Sequence, residues 1–147
     1  GGNYLNNILA ITQARQLGAD DSIILNREGF VTEAANSNVW FVINGQLTTP
    51  ATGNLKGLTK MHIHRALKGA GISSQEADIH ANELCDATEC FVTSATRDVM
   101  PCASLRLEDG EVLQFPEGGG EITRQVQAVF LAYLDTYAAA HAADALV

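Results

Sequence analysis

The sequence predicts a single α+β domain in which an antiparallel-rich sheet is flanked by helices. Short apolar runs that end in turn residues indicate hairpins, and Asn44-Gly45 is the strongest of these signals. Three longer stretches carry apolar residues at helical spacing and predict helices. The chain has 147 residues and is 46% hydrophobic, so it can bury the core of one ordinary domain.

The first third of the chain is predicted to pass from a helix into strands. Asn3 is a suitable N-cap for a helix that ends at Gly18, and apolar residues between them share one face. Short apolar runs and turn chemistry then alternate. The predicted strands are 22–25, 39–43 and 46–49, with a turn at 26–29.

The rest of the chain alternates helices and strands. A second helix is predicted from Leu58 to Lys68, because its apolar residues recur at helical spacing and glycines follow it. Gly118-Gly119-Gly120 is interpreted as a flexible hinge before a last helix, from Ile122 to about Ala140. The other predicted elements are a helical turn at 81–88, strands at 89–94, 100–107 and 111–115, and a tight turn at Asp109-Gly110.

The composition argues against several classes of protein. The net charge is −8 and the nine lysines and arginines are scattered, which disfavours a nucleic-acid partner. No apolar stretch reaches the roughly 18 residues that a membrane span needs. Cys85, Cys90 and Cys102 contain no Cys-x-x-Cys pair, so reduced thiols in a cytoplasmic protein are expected.

Histidines and lysines give no sign of a metal site or a nucleophile. His62 and His64 lie two residues apart in a predicted helix, so they face different directions and cannot chelate a metal well. A lysine nucleophile needs desolvation. Neither Lys56 nor Lys60 lies in an apolar run, and solvated lysines are therefore expected at both positions.

Glu33 is the first candidate for chemistry. This lone carboxylate leads through small polar residues into the apolar strand 39–43. A carboxylate beside a buried strand is costly unless a cationic partner meets it. Glu33 is therefore either a paired structural charge or a group held for a ligand.

Two further segments have the composition of ligand-binding turns. Gly57-Leu58-Thr59 begins a predicted helix, where free N–H groups and the helix dipole suit a phosphate. Ser94-Ala95-Thr96 follows an apolar strand, and its small residues let a ligand approach the backbone. Taken alone, the first segment is more often an ordinary helix cap and the second is more often an ordinary turn.

Four stretches identify a family when they are taken together. They are Gly-Gly-Asn-Tyr-Leu-Asn-Asn (1–7), Val-Thr-Glu-Ala-Ala-Asn-Ser-Asn-Val-Trp (31–40), Leu-Lys-Gly-Leu-Thr-Lys (55–60) and Phe-Val-Thr-Ser-Ala-Thr-Arg-Asp-Val-Met-Pro (91–101). In this order and spacing they resemble the motifs of class IV, fold-type IV aminotransferases, which depend on pyridoxal 5'-phosphate. The resemblance implies the pseudo-barrel fold of the large C-terminal domain of those enzymes.

The resemblance also implies cofactor contacts. Glu33 matches the carboxylate that pairs with the protonated pyridine nitrogen and keeps the ring an effective electron sink. Tyr4 matches the residue that donates a hydrogen bond to the phenolic oxygen of the cofactor. Leu58 and Thr59 match the phosphate site at a helix start, and Thr96 matches a further phosphate contact.

A substrate contact is implied more weakly. Ala95 and Thr96 match a loop that lies near the cofactor and the carboxylate of the substrate. Arg97 follows them and is a candidate for direct contact with that carboxylate. The family includes branched-chain and D-amino-acid aminotransferases, so the expected substrates are a branched-chain-like or D-amino acid and a 2-oxo acid, with a homodimer as the expected assembly.

The lysine that forms the Schiff base has no match in the chain. By the usual spacing of the family it would lie two positions before Gly1, and the small N-terminal domain is not matched either. Residues 1–147 are therefore expected to be the cofactor-binding C-terminal domain of an aminotransferase and to be inactive alone. Without the lysine, no residue of the chain is assigned as catalytic.

Two other functions stay open. A lyase that releases pyruvate from aminodeoxychorismate belongs to the same family, and Val99-Met100-Pro101 resembles the corresponding residues of such lyases. Alternatively, Glu33, Thr59 and Thr96 could belong to a non-catalytic domain that binds a phosphorylated ligand.

Overall fold

The computed structural model describes residues 7–12, 20–34, 37–51, 57–93, 99–107 and 109–140. These residues form nine strands, two α helices and one 3₁₀ helix. The strands are β1 (Asn7–Thr12), β2 (Asp20–Leu25), β3 (Val31–Ala34), β4 (Asn38–Ile43), β5 (Gln46–Pro50), β6 (Ser74–Ala77), β7 (Ala87–Thr93), β8 (Val99–Arg106) and β9 (Val112–Gln114). The helices are α1 (Gly57–Gly69), the 3₁₀ helix (Ala81–Asp86) and α2 (Glu121–Ala140).

The strands join into one sheet, which confirms the predicted α+β class. Their order is β3-β2-β1-β8-β7-β4-β5-β6, and β9 pairs with β8. Neighbouring strands are antiparallel except for the parallel pair β5 and β6. None of the described helices has the length and apolar character needed to cross a membrane.

The sheet curls until its two ends meet. The chain that follows β6 lies against the start of β3, where the N–H of Val31 donates to the carbonyl of Ile79 at 2.8 Å. The N–H of Ala81 donates to the carbonyl of Gly29 at 2.8 Å, and Phe30 forms a bridge with His80. These bonds close the curled sheet into a barrel-like core, as expected from the sequence.

Side chains of β4 and β7 alternate between two hydrophobic clusters, because successive residues of a strand point to opposite faces. Val39, Phe41 and Cys90 face the interior of the curled sheet. Trp40 and Phe91 lie on the outer face, where α1 and α2 cover them. Their rings are stacked, with centroids 5.8 Å apart. The two central strands therefore hold the barrel and the helices together.

The hairpin of β4 and β5 forms as predicted. Asn44 has φ 52° and Gly45 has φ 78°, so both turn residues adopt the left-handed conformation of a type I′ turn. This turn matches the right-handed twist of the flanking strands, which explains why the Asn-Gly pair fixes the register of the hairpin.

The helix predicted from Asn3 to Gly18 is wrong for its described part, where residues 7–12 form strand β1. Strand β1 pairs with β2 on one side and with β8 on the other. Ile8 and Ala10, two residues apart, are both buried in the barrel. Ladder hydrogen bonds on both edges and burial at alternate positions outweigh the helical spacing of the apolar residues.

The glycine run before α2 is a packed junction, so its interpretation as a flexible hinge is wrong. Gly119 and Gly120 are buried. A Cβ atom added at Gly120 would lie 2.2 Å from the carboxyl carbon of Glu89. Glycine is required there because the Glu89 side chain occupies the space that any other residue would need.

Candidate functional site

One edge of the sheet gathers the strand ends that flank the predicted site segments. Asn38 at the start of β4 pairs with Thr93 at the end of β7, and Thr93 pairs with Val99 at the start of β8. Both predicted segments therefore connect to this edge: the one after Glu33 leads into β4, and the one that contains Thr96 joins β7 to β8. We call this edge, defined by Asn38, Thr93 and Val99, the site edge.

Helix α1 begins beside the same edge. The hydroxyl of Thr49, near the end of β5, donates to the carbonyl of Val39 at 2.7 Å. The ammonium of Lys60, in the first turn of α1, donates to the carbonyl of Pro50 at 2.8 Å. The end of β5 therefore links the start of β4 to the start of α1. The start of β4, the start of α1 and the strand ends that flank residues 94–98 therefore lie in one region.

Lys60 is buried, so its expected solvation is wrong. Its side chain is 4% exposed, and Nζ lies 2.9 Å from Oε1 of Glu76 in β6. A buried ammonium is tolerated when charged and polar partners replace water, and Glu76 and the Pro50 carbonyl do so here. No local pattern indicates this burial, because both partners of Lys60 lie on other elements. Lys56 lies outside the described residues.

Buried polar side chains line the site edge between β2 and β4. The hydroxyl of Ser37 donates to the carboxylate of Asp21, and the N–H of Ser22 donates to the same carboxylate at 2.8 Å. The indole N–H of Trp40 lies 3.4 Å from the hydroxyl of Thr93. Sequence reasoning missed Asp21, although an acidic residue at the start of an apolar strand is a signal comparable to that of Glu33.

The predicted site residues are described only in part. Glu33 lies in β3, where its backbone is opposite Ile24. Leu58 and Thr59 lie in the first turn of α1. The structure supports the predicted helix start but describes no side chain of these three residues. Tyr4, Ala95, Thr96 and Arg97 lie outside the described residues, and their roles remain predictions.

The two histidines of α1 point apart, as predicted. Nδ1 of His62 lies 3.0 Å from the hydroxyl of Tyr133 in α2. Nδ1 of His64 lies 2.8 Å from the hydroxyl of Ser74 in β6. Among the side chains that the structure describes, no group of three or more histidine, cysteine, aspartate or glutamate residues could hold a metal ion.

A cavity of about 420 Å³ lies at the opposite edge of the sheet. It is lined by Ile8, Leu25, Ala81, Asn82, Leu107 and Asp109. This lining is mainly apolar and contains no cationic side chain, so it does not suit the phosphate that the sequence motifs predict. The site edge remains the candidate functional site.

Comparison with known proteins identifies the family to which the chain belongs. The family model for amino-transferase class IV matches residues 1–105. That match covers more than half of the chain. The chain belongs to the class IV aminotransferase family, as the four motifs predicted.

Individual relatives agree with this assignment. A protein of Methanocaldococcus jannaschii, provisionally named a branched-chain-amino-acid aminotransferase, is 34% identical over 130 residues, which cover 87% of this chain and 44% of the relative. The crystal structure of the Escherichia coli branched-chain amino acid aminotransferase matches with a TM-score of 0.65 and 28% identity, covering 82% of this chain and 40% of that one.

A neighbour of different activity is equally similar in fold. A Legionella pneumophila protein, provisionally assigned as a 4-amino-4-deoxychorismate lyase, matches with a TM-score of 0.65 and 27% identity, covering 84% of this chain and 44% of that one. The chain thus spans less than half the length of each of these three proteins.

Proposed function

We propose that this chain is the cofactor-binding domain of a pyridoxal-phosphate-dependent aminotransferase. The whole protein transfers an amino group between an amino acid and a 2-oxo acid. One observation carries the proposal beyond family membership: the start of β4, the start of α1 and the strand ends that flank Thr96 lie together at the site edge. In this proposal a single cofactor bound there contacts Glu33, Thr59 and Thr96.

The start of α1 suits the phosphate group of the cofactor. Backbone N–H groups at a helix start have no partners within the helix, and the dipole there favours an anion. The first turn of α1 contains no acidic residue that would repel a phosphate. Leu58 and Thr59 would hold the phosphate from this turn, with Thr96 as a further donor.

Glu33 and Tyr4 would hold the ring of the cofactor. Pyridoxal phosphate supplies an electron sink when it is bound, and a carboxylate next to the pyridine nitrogen strengthens this property by keeping the nitrogen protonated. Glu33 would accept a hydrogen bond from that protonated nitrogen, and Tyr4 would donate one to the phenolic oxygen. Ala95 and Arg97 would lie on the substrate side, where Arg97 contacts a carboxylate.

We propose that residues 1–147 alone do not catalyse transamination. The chain contains three lysines, Lys56, Lys60 and Lys68. Lys60 is engaged by Pro50 and Glu76, and Lys68 lies exposed at the far end of α1. None of the three matches the family lysine, which we expect to be supplied with the N-terminal domain.

The names of the relatives favour branched-chain amino acids as substrates of the whole protein, with D-amino acids as the other option within the family. We further propose that the whole protein is a cytoplasmic homodimer. The lyase activity is a second candidate, favoured by the neighbour from Legionella pneumophila. Assaying the full-length polypeptide for amination of 2-oxo acids and for pyruvate release from aminodeoxychorismate separates the two activities.

Binding of the cofactor tests the proposal directly. Pyridoxal phosphate should bind the 147-residue chain without a covalent bond. Trp40 is the sole tryptophan of the chain, so quenching of its fluorescence reports binding. Glu33→Gln and Thr59→Ala should each weaken binding about tenfold, as expected for the loss of a hydrogen bond to a charged group.

Thr136→Ala is the matched control, because Thr136 is exposed on α2 and its hydroxyl donates only to the carbonyl of Ala132 among the described contacts. It should leave binding unchanged. Equal affinity of the Glu33 and Thr59 variants and the original chain would contradict the proposal. Binding by a full-length polypeptide that has neither activity would instead indicate a non-catalytic domain.

A further inference from the structure

We propose that Lys60 is a positioning residue for cofactor binding: its buried ammonium holds the phosphate-binding start of α1 against the ends of β5 and β6. The inference rests on the proposed function, because it concerns the same phosphate site. Lys60 itself does not contact the cofactor in this proposal. It acts through the backbone of the first helical turn.

The contacts of Lys60 fix its ammonium from two sides. Nζ donates to the carbonyl of Pro50 at 2.8 Å and lies 2.9 Å from Oε1 of Glu76. The side chain is almost completely buried, whereas that of Glu76 is 46% exposed. Removing an ammonium from water is costly, so a lysine on the exposed surface would cost the fold less than the buried Lys60 does. The buried position therefore needs a reason beyond solubility.

The hydrogen bond between Lys60 and Pro50 supplies this reason. Pro50 ends β5, and Lys60 belongs to the first turn of α1. The hydrogen bond between them thus ties together the two ends of the connection that leads into the helix. It therefore holds the start of α1 against the end of β5, so that less binding energy is spent on positioning the helix start when a ligand binds.

Lys60 directly follows Leu58 and Thr59 in sequence. Fixing its side chain therefore fixes the helix start to within one turn. A phosphate held by backbone N–H groups depends on their positions, and a displacement of about 1 Å can cost a large part of the interaction. The ion pair with Glu76 adds a second anchor, in β6. Loss of Lys60 should weaken contacts to the phosphate more than contacts to the ring.

This selectivity can be measured in the full-length polypeptide by comparing two ligands. Pyridoxal phosphate carries the phosphate, and pyridoxal lacks it. Lys60→Met keeps the apolar stem and removes the ammonium. It should raise the Kd of pyridoxal phosphate about tenfold, the magnitude expected for the loss of a hydrogen bond to a charged group. The Kd of pyridoxal should change less than about twofold.

Two further variants complete the comparison. Lys60→Arg preserves the charge and should restore most of the affinity for pyridoxal phosphate. Lys68→Met removes an exposed lysine at the other end of α1 and should affect neither ligand. If Lys60 has a purely structural role, Lys60→Met should lower the affinity for both ligands equally, and that result would overturn the inference. An unchanged Kd for pyridoxal phosphate would also overturn it.

Glu76→Gln carries the test if Lys60→Met does not fold. It removes one anchor of the ammonium and leaves the Pro50 carbonyl in place. Glu76→Gln should lower the affinity for pyridoxal phosphate about threefold and leave that for pyridoxal nearly unchanged. An equal loss of affinity for both ligands would overturn the inference. If the unmodified polypeptide binds no pyridoxal phosphate, the proposed function itself fails, which is a different result from any of these.

Discussion

The carboxylate of Glu89 accepts two hydrogen bonds from Thr123, one from its backbone N–H and one from its hydroxyl, each at 2.7 Å. The same carboxylate accepts a third bond from the N–H of Ile122 at 3.1 Å. A residue of β7 thereby caps helix α2, satisfying donors that have no partner within the helix. Its negative charge also complements the helix dipole. This contact fixes the start of α2 on the sheet.

The cap requires glycine at position 120. A Cβ atom there would lie 2.2 Å from Cδ and 2.5 Å from Cγ of Glu89. We expect Gly120→Ala to displace the carboxylate and to lower the free energy of unfolding by about 2–4 kcal/mol, through overpacking and lost hydrogen bonds. Urea denaturation followed by circular dichroism measures the loss.

Gly69→Ala is the control for this substitution. Gly69 ends α1, and a Cβ atom added there has no neighbour within 4 Å. Alanine should leave stability unchanged or raise it by up to about 1 kcal/mol, because it restricts the unfolded chain. Similar denaturation curves for the two variants would show that the packing around Gly120 is not what the structure describes.

Local signals in the sequence were sufficient for much of the fold. The Asn44-Gly45 turn is favoured by its own two residues, which tolerate positive φ better than other residues and adopt it here. Helix α2 was predicted from its regular apolar spacing, and the structure buries Val126 and Phe130 of that face. Such features depend on residues that are close in sequence.

Features that depend on distant partners could not be predicted in this way. Strand β1 is a strand because β2 and β8 bind both of its edges. Gly120 is packed because Glu89, 31 positions earlier, caps the following helix. The same limit applies to the burial of Lys60. In each case the partner is brought near by the tertiary fold, and no local pattern carries that information.

The candidate site also combines features that local sequence predicts with features that depend on distant partners. The helix start at Leu58 and Thr59 was predicted locally and lies in α1. That it lies beside the start of β4 and the end of β5 follows from the hairpin and from the contact of Lys60 with Pro50. The individual roles of Glu33 and Thr96 come from the family resemblance and stay predictions until cofactor binding is measured.

The three cysteines should differ sharply in reactivity. Cys85 is exposed, whereas Cys90 and Cys102 are buried on neighbouring strands. Burial raises the pKa of the Cys90 thiol, and the nearby Cys102 adds to this effect. Because the thiolate is the reactive form, a disulfide reagent at pH 8 should label about one thiol per folded chain and all three after unfolding in urea.

Cys85→Ser identifies the reactive thiol. This variant should lose the rapid labelling of the folded chain and keep the slow labelling that accompanies unfolding. Rapid modification of a second thiol in the folded Cys85→Ser variant would contradict the described burial of Cys90 and Cys102.

His64 should make the stability of the fold sensitive to mild acid. Burial lowers the pKa of His64; the neighbouring Glu76 opposes this effect, and Lys60 adds to it. Two uncharged groups also contact the imidazole: Nδ1 lies 2.8 Å from the Ser74 hydroxyl, and the ring lies against Trp40, with centroids 5.1 Å apart. Nε2 is buried and lies 3.7 Å from Oε1 of Glu76, too far for a hydrogen bond, so the desolvation of the ring is the larger effect. The folded state therefore favours the neutral imidazole.

A folded-state pKa below the unfolded value means that the unfolded chain binds the proton more tightly. The stabilisation linked to His64 is fully present above the unfolded pKa, about 6.5, and is lost as pH falls through the folded pKa. Urea denaturation at pH 8 and pH 5 should show a larger loss for the original chain than for His64→Gln, which cannot titrate. The difference in unfolding free energy between the two proteins at pH 8 measures the cost of altering the contact with Ser74. This difference is the reference for the comparison at pH 5. Parallel losses in both proteins would mean that other groups account for the pH dependence, because only a protonation favoured in the unfolded state makes the histidine-containing chain more sensitive to acid.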